Sequence, residues 1–171
     1  LRVETRVSPG PYAEFGPVAF EGLGRVDRDY VESWRPWTEG DPGAVGALST
    51  WQRRLTETDL FSSVVVDIPR DPPPAGPDGT VTAPVRVLAE EGPRRTVTAG
   101  LRAVAQDYLL ARAGFPHRNL FGAGERLDLL AEVGLPDQRL QLRFEKPQFR
   151  RSGEIHRAEG EIRNQQTDAF D

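Results

Sequence analysis

Cysteine and methionine are both absent. Without cysteine there is no disulfide, no thiolate zinc site and no cysteine nucleophile. Lysine occurs once, at Lys146, so nearly all positive charge is arginine. Long apolar runs are missing as well. The longest aliphatic stretches are a few residues, such as Val64-Val65-Val66, whereas a spanning helix needs about 20 apolar residues in a row. A helical membrane span is therefore excluded. A strong charge of one sign is also lacking. The formal net charge is −4, which argues weakly against nucleic acid as a main partner. The chain opens on Leu1-Arg2-Val3-Glu4-Thr5-Arg6-Val7, alternating like a strand already in progress, with no initiator. The expectation is a piece of a longer protein.

What is present suits a folded chain of short elements. Of 171 residues, 37% are hydrophobic and 28% charged, enough apolar material for a core. Glycine (17) and proline (15) punctuate the chain too often for a long helical bundle. Residues 1–7 read as a half-buried strand ended by Ser8-Pro9-Gly10-Pro11. Tyr12 to Glu21 reads as a second strand anchored by Phe15, Val18 and Phe20. Asp27 is placed as the N-cap of a short helix carrying Tyr30, Val31 and Trp34. Asp41-Pro42 then predicts a helix start, with Val45, Leu48, Trp51 and Leu55 on its apolar face. Ser62 to Ile68 is a β-branched strand, 71–80 a loop, and Pro84 to Glu90 the return strand of a hairpin. The order is β-α-α-β-β.

After Gly92-Pro93 the period becomes two. Val97, Ala99, Leu101, Ala103 and Ala105 share a face; Leu127, Leu129, Ala131, Val133 and Leu135 share another, opposite Arg126, Asp128, Leu130 and Glu132. Leu140, Leu142 and Phe144 oppose Arg139, Gln141, Arg143 and Glu145. Segments of this length separated by turns are the signature of a transmembrane β-barrel. They are equally the signature of an antiparallel soluble sheet with one wet face, which the pattern alone favours. From Glu154 onward the chain is polar, either a strand with a weak lipid face or a frayed end.

No catalytic constellation emerges. His117 and His156 form a metal pair only if their strands adjoin, and two exposed histidines is the preferred reading. Ser62-Ser63 has no nucleophile elbow around it. Gly22-Leu23-Gly24 and Gly122-Ala123-Gly124 lack the rest of a phosphate loop and read as turns. Asp67, Asp71, Glu90 and Glu91 suggest a solvated edge and a linker. Trp34, Trp37 and Trp51 can line a groove, but Trp51 as core with the other two as partial cover is preferred. What remains is backbone chemistry. The strand Ser62, Ser63, Val64, Val65, Val66, Asp67 and Ile68 is the candidate binding site, an edge able to accept an added strand. The alternative is that it is merely core.

The motifs in their order resemble a known family. Pro9-Gly10-Pro11-Tyr12, Phe15-Gly16-Pro17-Val18, Phe20-Glu21-Gly22, Glu39-Gly40-Asp41 and Leu55 through Val64 resemble a POTRA domain, the β-α-α-β-β module of outer-membrane assembly proteins. His117-Arg118-Asn119-Leu120-Phe121-Gly122-Ala123-Gly124-Glu125 and Lys146-Pro147-Gln148-Phe149 resemble the first strands of the surface-antigen β-barrel that follows it. The arrangement resembles that of the TamA-like members of the family. Ala103 through Leu110 departs from the usual glycine- and serine-rich hairpin.

The resemblance implies an α+β chain. Residues 1–10 would end a preceding POTRA strand, 11–92 form a POTRA domain, and 93–171 begin an incomplete barrel, which needs at least about 8 strands. It implies a non-enzymatic part of a protein assembly or translocation machine, with no cofactor. The location would be the outer membrane of a Gram-negative bacterium, with the POTRA part in the periplasm. Implied partners are unfolded outer-membrane client proteins, a TamB-like inner-membrane-anchored subunit and the lipid bilayer. Nucleic acid is not among them. Open strands in a fragment would favour dimerisation. The alternative function is a soluble periplasmic β-rich domain that binds a peptide or small ligand.

Overall fold

The computed structural model describes residues 12–71, 73–104, 108–134, 137–149 and 153–165. The strand expected at 1–7 and the domain assigned to 1–10 lie outside the described residues. The described elements form two units. The first contains β1 (Ala13–Glu21), α1 (Arg28–Ser33), α2 (Val45–Thr56), β2 (Phe61–Asp67) and β3 (Val81–Glu91). Its sheet has the order β1-β3-β2, with β1 parallel and β2 antiparallel to β3.

One face of that sheet is apolar, and both helices cover it. Phe15, Val18, Val64, Val66, Val85 and Val87 pack against Tyr30, Val31, Leu48, Trp51 and Leu55. Trp51 is fully buried, and its indole N–H donates to the Val31 carbonyl oxygen at 3.1 Å. Trp37 stacks on Phe15 with centroids 4.3 Å apart and meets Trp51 edge-on at 5.2 Å. Trp37 is therefore core rather than partial cover. Trp34 alone remains half-buried, beside Tyr30.

A proline in a central strand removes a ladder donor. Pro84 is tolerated in β3 because it sits beyond the last pair with β2, Asp67↔Arg86, and opposite the irregularity between Phe15 and Val18 in β1.

The helix expected to begin at Asp41-Pro42 begins instead at Val45, with Ala44 as its N-cap, and Val45 itself is exposed. The Asp41 carboxylate accepts from the Thr38 N–H at 2.8 Å and the Thr38 hydroxyl at 3.0 Å, closing a turn. The segment then runs along β1. Phe15 N–H donates to Asp41 O at 2.9 Å, Gly40 N–H to Phe15 O at 2.8 Å, and Gly43 N–H to Ala13 O at 2.8 Å. This stretch covers the outer edge of β1, a demand that outweighed the Asp-Pro helix signal. Asp27 is the N-cap of α1, as expected, but its side chain makes no capping bond.

The second unit is an antiparallel sheet of five strands in sequence order: β4 (Thr98–Val104), β5 (Tyr108–Arg118), β6 (Arg126–Val133), β7 (Asp137–Pro147) and β8 (Ile155–Gln165). The polar tail is thus a strand over most of its length. His117 and His156 lie on β5 and β8, with β6 and β7 between them, so no metal pair forms. His117 is buried, contrary to its expected exposure.

Trp51→Ala is expected to destabilise the first unit by about 3–5 kcal/mol through the cavity it leaves. Trp51→Phe, which mainly loses the bond to Val31, should cost far less. Denaturant titration followed by fluorescence of the remaining tryptophans reads both, and a near-zero effect of Trp51→Ala would remove its role as the core anchor.

Candidate functional site

Two places in the fold have the geometry of a working surface: the joint between the units and the free edge of β2. The joint begins in the linker. Arg118 N–H donates to Arg94 O at 2.6 Å, Thr96 N–H donates to Pro116 O at 3.1 Å, and Arg95 bridges His117. The chain leaving β3 is therefore laid against β5 before β4 starts, and no slack tether separates the units.

The segment between β5 and β6 docks on the first unit. Asn119 adopts φ 57°, and its amide nitrogen donates to Arg25 O at 2.9 Å while its amide oxygen accepts from Gly124 N–H at 3.0 Å. Asp27 N–H donates to Gly122 O at 2.9 Å. Gly122 and Gly124 have φ 115° and 74°, where a side chain is strained. A Cβ at Gly122 would lie 2.7 Å from the Asp27 carboxylate, and one at Gly124 would collide with the Tyr30 phenol.

A buried carboxylate holds this turn together. Glu125 is 1% exposed. One of its oxygens accepts from the N–H groups of Phe121 and Ala123, both at 3.2 Å, and the other faces Lys146 Nζ at 3.4 Å. A buried carboxylate without partners is expensive, so these three contacts make the site tenable. Burial, with Glu125 nearby, pushes the Tyr30 phenol up to about 12.

On the opposite side of the joint, Glu91 performs a related task. Its Oε1 accepts from the N–H groups of Gly24, Arg25 and Val26 at 2.8, 2.7 and 2.8 Å. Desolvation opposes ionisation there, but the three donors prevail and hold the carboxyl below its ordinary value. Glu91 is thus a clamp on the 24–26 loop that Asn119 contacts, where sequence suggested only a solvated linker. A third contact joins Arg126 to Asp59 at 3.5 Å. Between the units lies an open cavity of about 310 Å³, lined by Tyr30, Trp34, Arg54, Arg126, Glu145 and Ile155 among others.

The second site is the β2 strand. Among the described residues β2 pairs with β3 alone, so Ser62, Ser63, Val64, Val65, Val66 and Asp67 lie on a sheet edge, and Ile68 falls just past the strand. Ser62, Ser63 and Val65 are exposed, whereas Val64 and Val66 turn their side chains into the core. Edge and core are therefore not alternatives here, because alternate residues serve each. Asp67 is paired with Arg86 at 3.0 Å. Sequence reasoning missed Glu91, Asn119, Glu125 and Lys146 as joint residues. The available signals were the single lysine and the asparagine-to-glycine run later seen with positive φ.

The five-stranded sheet is mostly apolar on one face and mostly charged on the other, with Leu130 among the exceptions on the charged face. Register places Phe115, Leu129 and Leu142 in one row and Ala113, Ala131, Leu140 and Ile162 in the next. Among the described residues no second layer covers this face: Leu101 is 78% and Ile162 72% exposed. The opposite face carries a ladder of ion pairs. Arg157 meets Glu145 at 2.7 Å, Arg143 meets Glu159 at 2.8 Å, and Arg139 reaches Glu132 and Glu161 at 3.8 and 3.5 Å.

Two mutations separate the roles at the joint. Gly124→Ala is expected to loosen it, seen as faster amide exchange at Asp27 and faster acetylation of Lys146. Gly153→Ala, with φ 84° but open space around it, should leave both rates unchanged. Because the Glu91 carboxyl is lowered, its stabilisation is present above its ordinary value near 4.5 and is lost as pH falls through the lowered one. Amides 24–26 should stay protected at neutral pH and lose protection as pH falls through the lowered value, and Glu91→Gln should abolish that dependence. Protection indifferent to both changes would remove Glu91 as the clamp.

No family model matches the chain, and no curated protein matches it. Solved structures do. BamA from Haemophilus ducreyi lacking POTRA domains 1–3 is 17% identical with a TM-score of 0.74, over 91% of this chain and 28% of that one. CdiB from Acinetobacter baumannii is 12% identical with a TM-score of 0.58, over 80% of this chain and 26% of that one. The chain spans about a quarter of the length of either structure, and at these identities what it shares with them is the fold.

Proposed function

We propose that this chain is a segment of an outer-membrane protein assembly or secretion component. In this reading the first unit is a periplasmic POTRA docking domain, and β4–β8 are the first strands of a bilayer-embedded barrel, contributing to its lateral seam. The observation that carries it is the division of the five-stranded sheet into an uncovered apolar face and a face laced with ion pairs. A water-soluble sheet of this composition would bury its leucines under another layer; a barrel wall turns them to lipid and its charges to the lumen. That contrast counts against the soluble periplasmic binding domain. The fold shared with BamA and CdiB, outer-membrane β-barrel proteins, supports the same reading.

The finer assignment is TamA-like, with a TamB-like inner-membrane-anchored partner and unfolded outer-membrane proteins as clients. The chain acts by binding rather than by catalysis. The β2 edge offers main-chain hydrogen bonds to an extended client segment, which gives affinity with little sequence preference. It is the suitable edge of its sheet because 40–43 already covers β1.

Paired substitutions test the membrane reading in the full-length protein folded into bilayers. Leu142→Arg, on the apolar face, should destabilise by about 2–4 kcal/mol if it sits near the midplane, and Gln141→Arg, on the charged face, should be close to neutral. Equal effects would sink the barrel assignment. Val65→Lys, which adds a charge at the exposed edge, is expected to reduce capture of an extended client peptide by at least severalfold, measured by fluorescence anisotropy.

A further inference from the structure

An exposed sheet edge invites strands that were never meant to bind, and folded proteins blunt such edges in several ways. In β2 the blunting comes from a neighbouring helix. The Val66 N–H donates to the side-chain oxygen of Gln52, on α2, at 3.2 Å. Val66 pairs with Val87 of β3, yet its N–H is engaged by a side chain of α2. In an antiparallel ladder residues alternate between those that bond the partner strand and those whose N–H and C=O face away. Val64 shares the phase of Val66, so these two residues present the outward-facing groups of the edge.

The rest of the edge is short. At its start the register with β3 shifts between Phe61 and Ser63, and the Ser62 hydroxyl donates to Glu90 O at 3.1 Å, back toward the sheet. At its end, Asp67 is held by two bonds to Arg86, at 3.2 and 3.0 Å. Val64 and Val66 therefore provide the usable main-chain groups, and Gln52 occupies one of them.

We infer that Gln52 is a built-in competitor for the β2 edge, a side-chain amide that occupies the Val66 N–H in place of an added strand and withdraws when an extended polypeptide pairs there. This rests on the edge reading proposed above and adds what controls it. The competitor is well suited to the task. Gln52 is half-buried on a helix held in place by its buried neighbours Leu48, Trp51 and Leu55, so only its side chain has to move. A single neutral hydrogen bond is lost on displacement. An added strand replaces that bond and gains those at Val64, so the guard weakens binding without preventing it. A short or poorly aligned segment that reaches Val66 alone gains nothing over Gln52 and is rejected.

The test uses the full chain in detergent micelles and a labelled ten-residue peptide of alternating valine and threonine as the probe. Gln52→Ala removes the acceptor and keeps a strong helix former; Gln52→Glu supplies a stronger, charged acceptor. The expected result is peptide binding about fivefold tighter for Gln52→Ala and weaker than the parent for Gln52→Glu. Without peptide, amide exchange at Val66 should quicken in Gln52→Ala while the amides of Val65 and Asp67, bonded to β3, stay unchanged. Equal affinity for all three proteins, with Val64 and Val66 protected by the peptide in each, would overturn the role of Gln52 and leave the edge reading standing. Failure of the peptide to protect Val64 and Val66 in any of them would overturn both.

Discussion

The Glu125 carboxylate, sealed beneath the 119–125 turn, is the constraint on which the arrangement of the two units depends. A charge that deep is stable only with donors pointed at it, and the donors are the turn's own N–H groups and Lys146. Satisfying it fixes the backbone from Phe121 to Gly124. That backbone presents the Gly122 carbonyl oxygen to Asp27 and lays Gly124 on the Tyr30 ring, where only a residue without a side chain fits. The contact between the units is thus a consequence of how one turn solves its own electrostatic problem. Glu91 solves the matching problem across the joint, with three N–H groups from a loop that has no helix or strand to satisfy them.

The five-stranded sheet obeys a different constraint. Among the described residues no layer lies over the leucines, valines and phenylalanines of its apolar face, while its charges face one another across neighbouring strands. Single exposed ion pairs contribute little, and their value here lies in arrangement. Alternating signs across β6, β7 and β8, as in Asp128-Arg143-Glu159 and Arg126-Glu145-Arg157, penalise any slip of register by one pair, because like charges would then meet. The segment between β5 and β6, at 119–125, is the turn that docks the first unit.

Much of this was legible in the sequence, for identifiable reasons. The β-α-α-β-β order, the break near Gly92 and the face assignments of β6 and β7 follow from period-two and helical spacing, which local sequence records directly. Strand β5 was not read, because Gly114 and Pro116 interrupt its alternation and its pairing with β4 and β6 is what makes it a strand. The helix start at Asp41-Pro42 misled, because those residues are satisfied by a turn and by the edge of β1, a partner far off in sequence. The strand β2 lies at a sheet edge among the described residues, but Gln52, fourteen positions before Val66, gave no local sign of reaching it. The joint was visible only as a motif. Its mechanism depends on Glu91 meeting the 24–26 loop, Asn119 meeting Arg25 and Glu125 meeting Lys146, and no spacing rule encodes that.

The cations of the ion-pair ladder are all guanidinium groups: Arg112, Arg139, Arg143, Arg157 and Arg163. A guanidinium keeps its proton at any pH a cell meets, and its flat fork matches a carboxylate better than an ammonium does. This face of the sheet therefore has a one-sided chemistry. Alkali leaves its cations charged, and with them the alternation of signs that holds neighbouring strands in register.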